Sequence, residues 1–550
     1  MNEPAHVAST SEWWRHAVVY QIYVRSFADG NGDGTGDIAG MRDRLPYLAS
    51  LGIDAIWVNP WYRSPLHDGG YDVADYREIN EAYGTTAEAE AFIVEAKGHG
   101  IRVIVDLVPN HLSWDHRWFV EALASEPGSP ARDRFHFLPG RGADGSEPPN
   151  DWGSVFGGPA WTRVTEADGT PGEWYLHLFD TSQPDVNWEN PEVAEELDAV
   201  MRFWLDRGAA GFRVDVAHSL VKEPGYPDLG DRSRRDGRAW TEGHPFWDRD
   251  EIHPIVRRWR EILDEYDDTM MVAEAWVRTD RRPLYLRPDE YHQAFDFDFL
   301  EAEWDANAFE KIIVESLDAA AGVGSHPTWV LSNHDVVRHA TRYGLPAGTD
   351  SGGWLLDGPH DALDADRGQR RARAAALVTL GLPGSAYLYQ GDELGLPEVW
   401  DLPPEVLDDP VWTDSNGARK GRDGCRVPIP WTSDGPSYGF GAGDAWLPQP
   451  PVFGDLTASA QEGDPDSMLE LYRTVLRIRR ARLVGVDELD IVDDAPGILH
   501  FRRGGNVQVV INMGDETVPM PAGTILVASD PTQHEHPTEL SPDSGVWLSS

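Results

Sequence analysis

Three acids stand where apolar runs end: Asp215 in "GFRVDVAH", Glu274 in "VAEAW" and Asp335 in "LSNHD". His111, Arg213 and His334 fall at the same ends of their runs. A single acid in such a place is as often half of a salt bridge. Three acids, with two imidazoles and a guanidinium two residues before one of them, ask for chemistry. Cleavage of a glycosidic bond with retention uses such a set. One carboxylate attacks the anomeric carbon while a second, kept protonated, donates to the leaving oxygen from about 5–5.5 Å away. A cation keeps the attacking carboxylate ionised, and Arg213 is placed for that. Imidazoles and the third acid can hold sugar hydroxyls and favour a flattened ring.

A scaffold must bring these ends together. Eight short apolar runs recur, at 16–24, 53–60, 101–111, 209–217, 270–276, 292–299, 327–335 and 384–393. Helical patterns such as "TAEAEAFIVEAKGHG" and "PEVAEELDAVMRFWLDRG" lie between them. Eight strand–helix repeats predict a closed (β/α)8 TIM barrel, whose chemistry sits at the C-terminal ends of its strands. An open doubly wound sheet competes, but no glycine-rich phosphate loop follows the first strand. Two regions break the rhythm. Residues 112–180, rich in Pro, Gly, Trp and Asp, are too long for a connection and predict an inserted domain. From 485 to 550, "GILHFRRGGNVQVVINM" and "GTILVAS" alternate as strands, predicting a C-terminal antiparallel β-sandwich. The barrel then takes 1–111 and 181–484.

Composition narrows the partners. With 93 acidic against 47 basic side chains, a net charge of −46 repels nucleic acid and anionic membrane and leaves a neutral ligand indifferent. The sole cysteine, Cys425, permits no internal disulfide and suits a reducing compartment. Neither a signal peptide nor a membrane span is legible, so a cytoplasmic protein without organic cofactor is expected. Oligomeric state, monomer or homodimer, is left open by the sequence. The segment "DGNGDGTGD" (29–37) places Asp29, Asn31 and Asp33 like the first ligands of a calcium hand. Its twelfth position is Gly40 where that hand needs a bidentate Glu, and the preceding "HAVVYQIYV" reads as a strand. A helix–loop–helix sensor is therefore excluded.

"DLVPNH" (106–111), "GFRVDV" (211–216), "VAEAW" (272–276) and "LSNHD" (331–335) together resemble, in order and spacing, the four short regions of glycoside hydrolase family 13, the α-amylase family. "QPDVNW" (183–188) resembles the signature of its oligo-1,6-glucosidase group, with Val where Leu is usual. The resemblance implies that Asp215 is the nucleophile, Glu274 the acid/base and Asp335 the transition-state stabiliser. His111, Arg213 and His334 would line the subsite of the cleaved glucose. It also implies an exo-acting enzyme: Asp68, in "HDGGYD" with Tyr71, and Arg422, in "GRDGCRVPIPW", match a pair that closes the pocket behind the terminal sugar. Phe156, Phe179 and Gln183 match positions near the pocket mouth. Asp29, Asn31, Asp33, Asp37 and the Thr35 carbonyl match a structural cation site, for Ca²⁺ by preference and Mg²⁺ as the alternative.

Linkage is the point where residues disagree. Val216, just after Asp215, accompanies α-1,6 specificity in the family. The "HSLVKEPGYPDL" that follows resembles maltose-type enzymes. The expected reading is an α-glucosidase acting on maltose and maltooligosaccharides, with isomaltose also cleaved. The loop 218–254, with "RSRRDGRAW" and "GHPFWDRDE", is expected to build the acceptor site. Rival readings are a transferring or isomerising relative, such as a trehalose synthase or sucrose-acting enzyme. A non-catalytic relative like the amino-acid-transporter heavy chains is disfavoured, because all three acids are present.

Overall fold

The computed structural model describes residues 12–230, 243–535 and 537–549. Eight parallel strands form one sheet: β1 (Val18–Ile22), β2 (Ala55–Val58), β3 (Arg102–Leu107), β4 (Gly211–Val214), β5 (Met270–Ala273), β6 (Gln293–Ala294), β7 (Thr328–Val330) and β8 (Ser385–Tyr389). Neighbours pair in chain order, β1 also pairs with β8, and a parallel bridge from Phe295 to Thr328 closes β6 on β7. The expected barrel is present, with all eight strands where the apolar runs stand.

Successive side chains in a strand point to opposite faces, so each strand serves two cores. Val18, Tyr20, Ile22, Ile56, Val58, Val103 and Val105 pack outward in the large cluster shared with the helices. Val19, Ala55, Trp57, Ile104, Met270, Val272 and Tyr387 fill the interior. This double burial is why the runs are apolar throughout rather than alternating. Gly211 opens β4 at φ 141°, where an added Cβ would lie 1.8 Å from the carbonyl oxygen of Met270. Only glycine lets β4 approach β5 there, and that approach sets the register carrying Asp215 and Glu274 to one level.

The chain between β3 and the helix Pro191–Leu205 holds a small antiparallel sheet of Phe137–Leu138, Trp161–Thr165 and Pro171–Leu176. It returns to the barrel through a bridge between His111 and Asp185. After the helix Met468–Arg482, five antiparallel strands follow: β9 (Leu489–Ile491), β10 (Ile498–Arg503), β11 (Val507–Asn512), β12 (Thr524–Ala528) and β13 (Ser544–Ser549). One face, with Phe501, Val509 and Trp547, packs on the C-terminal end of the barrel helix Ala365–Gly381, and Trp547 donates its indole N–H to the Leu377 carbonyl at 3.0 Å. The other face meets a two-stranded ribbon, Val518–Pro519 with Glu539–Leu540. Among the described residues no helix is long and apolar enough to cross a membrane.

Candidate active site

Arg213, buried in β4, organises one half of the site. Its Nη1 donates to Asp215 at 2.5 Å and to Asp106 at 2.9 Å, and its Nη2 lies 2.9 Å from Glu274. Asp106 also accepts from the Trp57 indole and the Tyr71 hydroxyl, each at 3.0 Å. Glu274 accepts from the backbone N–H of Val216 at 2.9 Å and the Trp276 indole at 3.2 Å. Three carboxylates thus surround one guanidinium. Burial pushes Asp215 well above the usual carboxylate range; Arg213 pulls it down, while Glu274 and Asp106 add to the rise. Burial likewise raises Asp106 to about 6 against the pull of Arg213. Like charges this close cannot all ionise cheaply, so the set as a whole tends to retain a proton.

Arg422 organises the other half. It reaches Asp68 at 2.6 Å, Asp335 at 3.0 Å and Asp409 at 2.5 Å, and Arg426 adds a contact to Asp335 at 3.1 Å. Burial opposes the charge on Asp335, yet His334, Arg422 and Arg426 hold it well below the ordinary range. Two acids at the tips of separate barrel strands, β4 and β7, are therefore driven in opposite directions by their surroundings. His334 is kept neutral by burial and the arginines around it. Its Nδ1 faces the Gln21 amide at 2.7 Å, which leaves the proton on Nε2, 3.3 Å from Asp335. The halves are joined by Tyr71, which stacks on His334 at 5.2 Å and hydrogen-bonds to Asn59 and Asp106.

The remaining expected residues are joined to these two halves, or to one another, by direct contacts. Gln183 donates to Asp68 at 3.0 Å, and His111 Nε2 meets the Tyr71 carbonyl at 3.1 Å. The Phe179 ring sits 5.2 Å from His111 and 5.6 Å from Phe156, and Phe156 lies under the Arg422 guanidinium at 5.0 Å. Val216 packs in a cluster with Trp152, Trp161, Phe246 and Trp247, so its side chain leans on the insertion and on the loop after β4. The "RSRRDGRAW" part of the expected acceptor loop lies outside the described residues. Sequence reasoning did not single out Asp106, Asp409, Arg426 or Trp276. Asp106, Arg426 and Trp276 stood inside quoted motifs as polar or aromatic neighbours of apolar residues; Asp409, in "DDP", carried no signal.

The Asp29–Asp37 loop folds on itself. Asp29 accepts from the N–H groups of Asn31, Gly32 and Gly34, and Asp37 from those of Gly30, Asn31 and Gly40. Asn31 and Asp33 cap the next amides but one, at 2.8 Å each. The donor set of carboxylates, an amide oxygen and a backbone carbonyl suits a hard cation. Asp29 and Asp37 are buried, and no basic side chain among the described residues pairs with Asp29, Asp33 or Asp37. The donor types suit a cation, but the oxygens face the loop's own amides, and Asp29, Asp33 and Asp37 do not gather as a group with ligand atoms within 4.8 Å of one another.

The family model described as "Alpha amylase, catalytic domain" matches residues 21–486, and one described as a domain of unknown function, DUF3459, matches 491–547. A probable alpha-glucosidase of Rhizobium meliloti is 37% identical, over 92% of this chain and 90% of its own. An oligo-1,6-glucosidase of Parageobacillus thermoglucosidasius is 34% identical, over 92% and 91%. Among solved structures, the alpha-glucosyl transfer enzyme XgtA superposes with a TM-score of 0.83 at 31% identity, covering 98% of this chain and 99% of its own. With a family model spanning the barrel and relatives spanning almost the whole chain, the protein belongs to the α-amylase family of glycoside hydrolases.

Proposed function

We propose that the protein is a retaining, exo-acting α-glucosidase that releases glucose from the non-reducing end of short α-glucosides. The observation that carries this reading is that a single guanidinium, Arg213, holds both Asp215 and Glu274. That arrangement favours the short carboxyl separation of retaining enzymes over the roughly 6.5–9.5 Å of inverting ones. Asp215 attacks the anomeric carbon, and the bond to the leaving oxygen breaks as that oxygen takes the proton of Glu274. Water then hydrolyses the glucosyl ester on Asp215, giving its proton to Glu274 and restoring both groups. Asp335, held ionised, faces the positive charge that develops on the ring. Asp68 and Arg422 wall the pocket behind the terminal glucose and hold its outer hydroxyls. Asp29, Asn31, Asp33, Asp37 and the Thr35 carbonyl would hold a structural Ca²⁺, remote from the sugar.

Maltose is the proposed preferred substrate, with isomaltose also cleaved. Val216 shapes the acceptor side by about one methyl group, a difference worth roughly 1–3 kcal/mol. Glucose release from the two disaccharides at equal concentration tests this. Faster release from maltose supports the reading, and faster release from isomaltose assigns the enzyme to α-1,6 linkages instead. A second reading, glucosyl transfer to a sugar acceptor, is favoured by the likeness to an alpha-glucosyl transfer enzyme. The same assay separates it: di- or trisaccharide products outrunning glucose would put transfer first.

A further inference from the structure

The barrel's opposite end carries a second cluster of ligating side chains. His16 stands two residues before β1, His326 two residues before β7, and Asp487 lies between the helix Met468–Arg482 and β9. His16 Nε2 is 3.6 Å from Asp487 Oδ1, and His326 Nε2 is 3.1 Å from Asp487 Oδ2. The rings stand 5.6 Å apart, steeply inclined at 77°. One ligand atom from each of the three lies within 4.8 Å of the other two, and among the described residues no other such group of His, Cys, Asp or Glu occurs. The His16–Asp487 gap is too long for a hydrogen bond. Zinc bonds of about 2.0–2.2 Å in a tetrahedral site place neighbouring ligand atoms roughly 3.3–3.5 Å apart, near the 3.6 and 3.1 Å at which each imidazole meets its own oxygen of the carboxylate.

We propose that His16, His326 and Asp487 form a site for a borderline transition-metal cation of the zinc class, fastening the C-terminal segment to the floor of the barrel. Two imidazoles and one carboxylate select Zn²⁺, Co²⁺ or Ni²⁺ over the Ca²⁺ or Mg²⁺ preferred by all-oxygen sites. Three protein ligands leave the fourth position to water. The side chains of His16 and His326 are 17% and 19% exposed and that of Asp487 is 52% exposed, so an ion can enter from solvent. Two existing contacts must yield: the His326–Asp487 hydrogen bond, whose place the metal takes, and one from Arg15. Arg15 Nη1 lies 2.6 Å from His326 Nδ1, and its donation there leaves the ring proton on Nε2. Metal at Nε2 takes the tautomer with its proton on Nδ1, and Arg15 then falls back on Glu12, which it already contacts at 2.6 and 3.0 Å.

The test is titration of the metal-stripped full-length protein with Zn²⁺ by calorimetry, with melting temperatures in parallel. The expected result is one equivalent bound at micromolar zinc or tighter, with a rise in melting temperature. His16→Gln and Asp487→Ala are each expected to weaken that equivalent at least tenfold. Asp33→Asn, in the calcium-type loop, should leave it unchanged, as should Glu274→Gln among the pocket acids. Asp487 is half exposed, so its replacement spares the fold. Absence of stoichiometric zinc binding overturns the proposal, as does binding unaffected by His16→Gln and Asp487→Ala. Glucose release by these two variants should match the parent, because the cluster lies at the barrel end opposite the acids.

Discussion

Asp215 and Asp335 are the same residue type at corresponding strand tips, and their surroundings separate them. Asp215 shares Arg213 with Glu274 and Asp106 and is raised; Asp335 has His334, Arg422 and Arg426 around it and is lowered. An acid limb in kcat/KM should therefore come from the Arg213 set, because Asp335 stays ionised throughout. Activity requires Asp215 to be ionised, so it falls as pH drops through a raised value. The loss is therefore expected above the ordinary carboxylate range of about pH 4. A raised carboxyl pKa means that the folded state binds the proton more tightly than the unfolded chain. Acidification through this window thus adds stability from these groups, and lost activity there reports titration rather than unfolding. A limb at about pH 4, the ordinary carboxylate range, would contradict the account. Asp215, Glu274 and Asp335 were legible because an acid ending an apolar run must emerge where the strand does. Asp409 and the threefold task of Arg213 were not, since both depend on contacts between segments far apart in sequence. Val216 adds a strain that the sequence does not show. It is β-branched yet held at φ 44°, and in that conformation its N–H reaches Glu274.

At the scale of elements, one buried lysine ties the loop after β4 to the two points, Asn110 and Asp185, between which the insertion leaves and returns. Lys222, on the loop after β4, reaches Asp185 and Asn110 at 2.9 Å each, while Asn110 donates to Asp185 at 3.1 Å and approaches His111. Asp185 is fully buried, so removing its cation leaves an uncompensated charge. Lys222→Met is expected to cost about 3–5 kcal/mol and to raise KM through His111. Adding Asp185→Leu should recover part of the stability and none of the KM. Thermal melts and maltose kinetics on the single and double variants check this, and a single variant as stable as the parent would refute the role. The strand–helix alternation that predicted the barrel was legible because each strand is buried on both faces. This lysine was hidden in the loop "HSLVKEPG", where a charged residue reads as solvent-facing.

For the whole molecule, the fold fixes what composition could only bound. Antiparallel strands after the last barrel helix were visible in the alternation around "GGN". That one sheet face would rest on the helix Ala365–Gly381 was not, because Gly381 carries no side chain to advertise the contact. The proposed Ca²⁺ has a consequence at this scale. Chelation, or Asp33→Asn, should lower the melting temperature while leaving kcat/KM for maltose within about twofold below the transition, since the loop does not touch the pocket. Unchanged melting after verified removal of metal would argue against a cation in that loop. The central claim is that Asp215 and Glu274 act as nucleophile and acid/base in a closed pocket, giving two displacements and net retention. Time-resolved proton NMR of glucose released from maltose, read before mutarotation, tests it most directly. The account predicts α-glucose as the first product from the non-reducing unit, with none from an Asp215→Asn variant that melts like the parent. β-Glucose appearing first, or α-glucose still released by that variant at a rate near the parent's, would contradict it.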